Sequence, residues 1–175
     1  VRLWQDPTAP EVATGVVMRF PDTVCAREVG DDRATAWTVG PGMGVGDDRI
    51  ELVAAALATQ LPVVVDADAL TLVSRSEELR RAIQDRSAPT VLTPHVGEFT
   101  RLGFTLTDDR LADARNAAAQ LDAVVLLKGP GTVIADPEGA AFVDIMGPAA
   151  LATAGTGDAL SGIVGAVLSR HPPAV

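Results

Sequence analysis

The sequence predicts an α/β domain on a mostly parallel sheet, and three observations carry the prediction. Short apolar runs alternate with helical patterns along most of the chain, as strands joined by crossover helices require. The first four runs each end in a glycine-, proline- or acid-bearing segment. A hairpin pattern appears only later. The 175 residues suffice for one domain with a real core, and no Pro-, Gly- or Ser-rich linker divides them.

The elements follow in order. Ala36-Trp37-Thr38-Val39 reads as a buried strand running into a glycine loop. Asp47-Asp48 opens a helix through Ile50, Leu52, Val53, Ala56 and Leu57, with carboxylates at the positive end of its dipole. Pro62 to Asp66 is a second strand, and Glu77 to Gln84 a short polar helix. Thr90-Val91-Leu92-Thr93 is a third strand, stopped by Pro94. Gly97 to Leu102 gives a helical turn. Asp108 to Leu121 is amphipathic, with Leu111, Ala114, Ala118 and Leu121 on one side. Ala123 to Leu127 is the fourth strand. Thr132–Ala135 and Ala140–Val143 flank the polar turn Asp136-Pro137-Glu138-Gly139 as a hairpin. The last helix runs from Thr156 to Ser169 with Leu160, Ile163, Val164 and Val167. Its Gly162, Gly165 and Ala166 allow close packing, and Pro172-Pro173 stops it.

Composition excludes several functions. Apolar residues make up 47% and charged residues 21%, a globular rather than disordered balance. The net charge is −9, with no basic run beyond Arg80-Arg81. Neither a nucleic-acid partner nor a membrane surface is expected. No apolar stretch reaches membrane-spanning length, and Val1 to Asp6 lacks the pattern of a signal peptide. A cytoplasmic protein is expected. Cys25, the single cysteine, leaves no internal disulfide and reads as apolar filler or a reactive thiol.

The four strand ends should converge on one rim, because ligands of open α/β sheets bind beyond the carboxyl ends of strands. Gly40-Pro41-Gly42-Met43-Gly44 permits close backbone approach to a ligand, or is an ordinary turn. Asp66 and Asp68 form a paired-carboxylate site, or one of them caps the following segment. His95 donates a hydrogen bond to a substrate, or satisfies a loop carbonyl. Glu98 holds a magnesium-bound water, since hard cations prefer oxygen, or is a solvated first-turn acid. Lys128-Gly129-Pro130-Gly131-Thr132 binds phosphate through amides, a hydroxyl and an ammonium, or simply turns into the hairpin. Neither glycine loop has dinucleotide-fingerprint or Walker spacing. Thr153-Ala154-Gly155-Thr156-Gly157-Asp158 runs directly into a helix, where free amides and the dipole form an anion hole. Asp158 faces that ligand or complements the dipole. The dipole alone does not account for the glycine spacing.

Four segments then stand together: Asp66-Ala67-Asp68-Ala69-Leu70, Leu92-Thr93-Pro94-His95-Val96-Gly97-Glu98, Lys128-Gly129, and Ala152-Thr153-Ala154-Gly155-Thr156-Gly157-Asp158. In this order they resemble the ADP/ATP-dependent NAD(P)H-hydrate dehydratases, a branch of the ribokinase-like superfamily, over residues 36–170. The Gly155–Asp158 run is shared with many small-molecule kinases. The Thr93–Glu98 run, with histidine where sugar kinases have asparagine, is more specific to the dehydratase branch.

The resemblance implies a ribokinase-like three-layer αβα sandwich with a mostly parallel central sheet. This chain would be a single domain over residues 1–175, incomplete at both termini. The implied activity is repair. ADP or ATP, with Mg2+, phosphorylates the ring hydroxyl of the 6S hydrate of NADH or NADPH, and phosphate elimination restores the cofactor. By the same resemblance, Asp158 is the general base, and the amides of Gly155, Thr156 and Gly157 stabilise the transferring phosphoryl. Lys128, Gly129, Pro130, Gly131, Thr132 and Gly157 contact the adenine nucleotide. Gly44, His95 and Asp158 contact the hydrated nicotinamide nucleotide, and Glu98 organises magnesium through water. A homo-oligomer is implied, as is an NAD(P)H-hydrate epimerase, fused or separate.

There are departures and alternatives. Met146-Gly147-Pro148-Ala149-Ala150 replaces a Gly-Asn-Pro segment of the family, so any contact of that asparagine is lost or altered. A kinase of a vitamin-precursor alcohol (hydroxymethylpyrimidine or thiazole type) shares the Gly155–Asp158 run but does not require His95. A non-catalytic nucleotide-binding module is the third reading. Lys128 is the one lysine among 14 basic residues. If composition pressure converts dispensable lysines to arginine, the survivor marks a place where a compact ammonium serves and a planar guanidinium does not.

Overall fold

The computed structural model describes residues 2–4, 6, 8–26, 29, 33–147 and 151–170. The chain forms two compact units, Val1–Ala34 and Thr35–Val175. In the first, β1 (Arg2–Trp4) pairs in parallel with β2 (Val24–Ala26), and α1 (Pro10–Arg19) connects them. The sequence pattern assigns no element here. Three-residue strands are too short to show alternation, and Ala13 is the buried residue of α1 while Val12 and Met18 are exposed. Such a helix carries no readable apolar stripe.

The second unit is a six-stranded sheet in chain order: β3 (Trp37–Val39), β4 (Val63–Val65), β5 (Thr90–Leu92), β6 (Val124–Leu127), β7 (Thr132–Ala135) and β8 (Ala141–Asp144). The first four strands are parallel, and β6, β7 and β8 pair antiparallel. A sheet that winds in one direction through right-handed crossovers carries every crossover helix on the same face. Those helices are α2 (Asp48–Ala58), α3 (Ala67–Arg75), α4 (Glu77–Asp85), α5 (Val96–Arg101) and α6 (Arg110–Leu121). Among them α2, α3, α4 and α6 pack on one another.

The final helix, α7 (Thr156–Arg170), packs on β3 and β4. Its Gly165 sits against Thr38 and Val64. Alternation turns Val63 and Val65 to the crossover-helix face. All three β4 valines are fully buried, as a strand covered on both faces must be. The α/β class and the mostly parallel sheet are therefore as the sequence predicts.

Three details differ from the sequence-based expectation. Residues 67–75, expected only as a post-strand segment, form α3 and bury Ala69, Leu70, Leu72 and Val73. Helix α6 buries Ala117 beside Ala114, Ala118 and Leu121, and leaves Leu111 half-buried. Helix α7 buries Ser161 and Gly165 while its aliphatic Ile163 and Val167 are exposed. Close packing is achieved at Gly165, whereas Gly162 and Ala166 face outward. Pro148 to Ala150 and Pro172-Pro173 lie outside the described residues. Among the described residues, no helix is long and apolar enough to cross a membrane.

Candidate active site

Backbone hydrogen bonds lace the strand ends into one rim. The Asp66 amide donates to the Val39 carbonyl at 3.0 Å, Thr93 to Val65 at 3.1 Å, and Lys128 to Pro94 at 2.8 Å. Each bond extends a parallel pairing one step past the strands. The post-strand segments are thereby aligned side by side, which is the convergence expected of this topology.

The side chains meet at Lys128. Its Nζ lies 2.8 Å from Asp66 Oδ1 and 3.8 Å from Glu98 Oε2. A Cβ on Gly157 would stand 3.4 Å from the same nitrogen, so the first turn of α7 borders the ammonium. Lys128, Glu98 and Gly157 come from three distant stretches of chain, and the fold brings them together.

Asp66 and Asp68 do not pair with each other. Asp66 precedes α3 without capping it through its side chain. Its Oδ2 is buried with no hydrogen-bond partner among the described residues. Asp68 Oδ2 instead accepts the Gly44 amide at 2.9 Å, which ties the glycine loop to α3. At the other end of that loop, Gly40 has φ +121°, and a Cβ there would overlap the Asp66 carbonyl oxygen. Only glycine fits that approach.

His95 and Glu98 form a reciprocal cap on α5. His95 Nδ1 accepts the amides of Gly97 at 2.9 Å and Glu98 at 3.2 Å. Glu98 Oε2 accepts the His95 amide at 2.8 Å. An Nδ1 that accepts leaves the ring proton on Nε2 in the neutral tautomer. His95 is exposed and its Nε2 lies 3.6 Å from Glu98 Oε1. The bland alternatives are both corrected: His95 bonds amides rather than a carbonyl, and Glu98 is buried, not solvated.

The Lys128–Thr132 loop is shaped by its glycines. Gly129 has φ +150° and Gly131 φ +65°, and Thr132 Oγ1 donates to the Gly129 carbonyl at 3.1 Å. Pro130 is exposed. Beneath the loop runs Arg110, which sequence reasoning misses. Its Nη2 donates to the carbonyls of Leu127 at 3.4 Å and Lys128 at 3.3 Å. A Cβ on Gly129 would stand 2.9 Å from that nitrogen. Arg110 opens an amphipathic helix, and nothing in the local pattern separates it from a solvated arginine.

At the start of α7, Gly155 has φ +84°. The Thr156 amide donates to the Thr153 carbonyl at 3.3 Å, and the two threonine hydroxyls are 2.9 Å apart. The Thr156 amide is thus engaged, while the Gly157 amide has no backbone acceptor among the described residues. Asp158 is exposed in the first turn. Its carboxylate makes no hydrogen bond or ion pair among the described residues, so the structure does not join it to His95 or Lys128.

The donor set fits a hard divalent cation bridged by water. Glu98 supplies a buried carboxylate at the rim, and magnesium is commonly held by one or two carboxylates with several waters retained. A directly coordinated cage is another matter. Among the described residues, no group of three His, Cys, Asp or Glu side chains could hold a metal.

Comparison with known proteins places the chain in a family. The sequence model of the NAD(P)H-hydrate dehydratase family matches residues 8–174, which extends the resemblance into the first unit. The bifunctional NAD(P)H-hydrate repair enzyme Nnr of Mycobacterium leprae is 44% identical over 163 residues, covering 92% of this chain and 34% of that protein. The ADP-dependent (S)-NAD(P)H-hydrate dehydratase of Neisseria meningitidis is 36% identical over 183 residues, covering 98% and 61%. The ADP/ATP-dependent NAD(P)H-hydrate dehydratase of Bacillus subtilis, co-crystallised with ATP and Mg2+, has a TM-score of 0.79 at 33% identity, covering 91% of this chain and 59% of that one. A ribokinase-like superfamily protein of Enterococcus faecalis has a TM-score of 0.77 at 25% identity, covering 97% and 61%. The chain thus spans less than two thirds of the length of each. On a ribokinase-like fold whose strand ends carry these residues, the chain belongs to the NAD(P)H-hydrate dehydratase family.

Proposed function

We propose that the chain catalyses nucleotide-dependent dehydration of the 6S hydrate of NADH or NADPH. One observation carries the reading: the sole lysine is fixed beside the glycine-rich start of α7, at the rim where the sheet's loops converge. Asp158 accepts the proton of the ring hydroxyl as its oxygen attacks the terminal phosphorus of ADP or ATP. The bond from that phosphorus to the bridging oxygen breaks, releasing AMP or ADP. Lys128 and the Gly157 amide offset charge on the transferring group. The phosphate then leaves with the C–O bonding pair, and loss of a proton from the neighbouring ring carbon restores the double bond.

His95 donates from Nε2 to the hydrated nicotinamide nucleotide, and Gly44 lines its side of the rim. The Lys128–Thr132 loop receives the adenine nucleotide. Glu98 holds Mg2+ through water, and the bound ion supplies further charge neutralisation. The match of the family model across both compact units supports one domain. A cytoplasmic location belongs to the same reading. A homo-oligomer, and an epimerase fused or separate, belong to the same reading, and the bifunctional relatives support the latter.

The test is recovery of reduced-nicotinamide absorbance from NADH hydrate with Mg2+ and either ADP or ATP. Asp158→Asn should lower the rate about 10²- to 10⁴-fold with an unchanged circular dichroism spectrum. Full activity in that variant would sink the mechanism. A stable phosphorylated product would instead identify the vitamin-precursor kinase.

A further inference from the structure

Asp66 has no part in the mechanism above, yet it is the most deeply buried charged residue of the rim, at 1% exposure against 7% for Glu98. A carboxylate is costly to bury unless paired and hydrogen-bonded. Here Oδ1 is bonded to Lys128 at 2.8 Å and Oδ2 has no partner among the described residues. The surrounding backbone also adapts to it. Ala67, the next residue, takes φ +48° without being glycine, and Gly40 must lack a side chain to clear the Asp66 carbonyl. The Asp66 carbonyl accepts the Ala69 amide of α3 at 3.1 Å, but the side chain caps none of that helix's amides.

We infer that Asp66 is the positioning residue for Lys128. A lysine ammonium ends a flexible four-carbon stem and has three donors. Asp66 takes one donor, and Glu98 at 3.8 Å flanks a second side. The nitrogen is left beside Gly157, at the start of α7. With 18% of its side chain exposed, Lys128 reaches solvent on a narrow front. Asp66 thereby converts a mobile charge into a donor fixed in place before any ligand arrives, as preorganised electrostatic stabilisation requires. The inference rests on the reading that Lys128 serves a phosphoryl-bearing ligand. It adds the residue through which that service is arranged.

The sole lysine of the chain makes the test direct. In the free protein, the Lys128 Nζ–H correlation should be visible by 15N NMR, assigned by its loss in Lys128→Met. Asp66→Asn should leave the backbone amide spectrum native and speed exchange of the ammonium protons with water at least about tenfold. Asp66→Glu keeps the charge, and should retain the signal at a changed shift. In a second measurement, affinity for ADP or ATP with Mg2+ should fall about tenfold in Asp66→Asn and in Lys128→Met, and no further in the double variant. A native-like ammonium signal in Asp66→Asn, or additive losses of affinity, would overturn the inference. So would equal behaviour of the Asn and Glu variants, the mark of a merely structural role. Absence of nucleotide binding in the unmodified protein would remove the functional reading, while the ammonium signal still decides whether Asp66 holds Lys128.

Discussion

At the amino-terminal ends of β4 and β5, away from the rim, Arg86 gathers five acceptors. Its guanidinium donates to the carbonyls of Leu57 at 3.0 Å, Thr59 at 2.8 Å, Leu61 at 2.7 Å and Pro89 at 3.1 Å, and to Thr90 Oγ1 at 2.8 Å. Burial pushes the guanidinium below its ordinary pKa, and the five acceptors are all neutral oxygens. Only a planar fork reaches them together. Arg86→Lys should therefore cost about 3 kcal/mol of stability, measured as a shift in the urea midpoint at constant slope. The contrast with Lys128 sharpens the composition argument. This chain uses arginine where a fork is needed, and its one lysine where a point charge is gripped between strand ends.

At the scale of elements, α7 gives opposite expectations for two glycines on one helix. Gly165→Ala would drive a Cβ into Thr38 Oγ1 and should cost about 1–3 kcal/mol by overpacking. At Gly162 an added Cβ would meet nothing within 4 Å, so Gly162→Ala should gain about 1 kcal/mol of helix propensity. Thermal unfolding of the two variants, shifted in opposite directions, checks the docking geometry.

The same helix shows what periodicity conveys. The pattern locates the element, but its aliphatic Ile163 and Val167 face solvent, because the seam along Thr38 and Val64 admits only small residues. The strands of the large sheet are legible because each is a short apolar run closed by a breaker. Helix α3 is not, since it follows β4 after a single residue and no loop announces it. The rim is legible as a set of strand ends. The Asp66–Lys128 pair is not, because 62 residues separate its members and only sheet register aligns them.

For the whole molecule, a net charge of −9 sets the field through which an anionic ligand must approach. Local amides and one ammonium attract at contact, while the distant field repels. Salt screens the distant part most, since the Debye length falls from about 30 Å at 0.01 M to about 8 Å at 0.15 M. The association rate of a labelled adenine nucleotide should therefore rise with ionic strength over that range. A falling rate in stopped flow would mean that the ammonium and the free amides of the rim outweigh the net charge even at long distance.

The strand order carries a consequence for assembly. In the large sheet each strand hydrogen-bonds to its neighbour in sequence, so the sheet can zip up as a succession of short loop closures, the cheapest kind. Docking of α7 is the exception: the bond from Thr38 to the Ser161 carbonyl spans 123 residues. Pulse-labelled refolding should accordingly show amides of β4 and β5 protected before those of α7. Because the amino-terminal end of α7, proposed above to face the phosphoryl group, is seated only by that closure, the proposed capacity to hold nucleotide would arrive last, and nucleotide binding would report a chain that has finished folding.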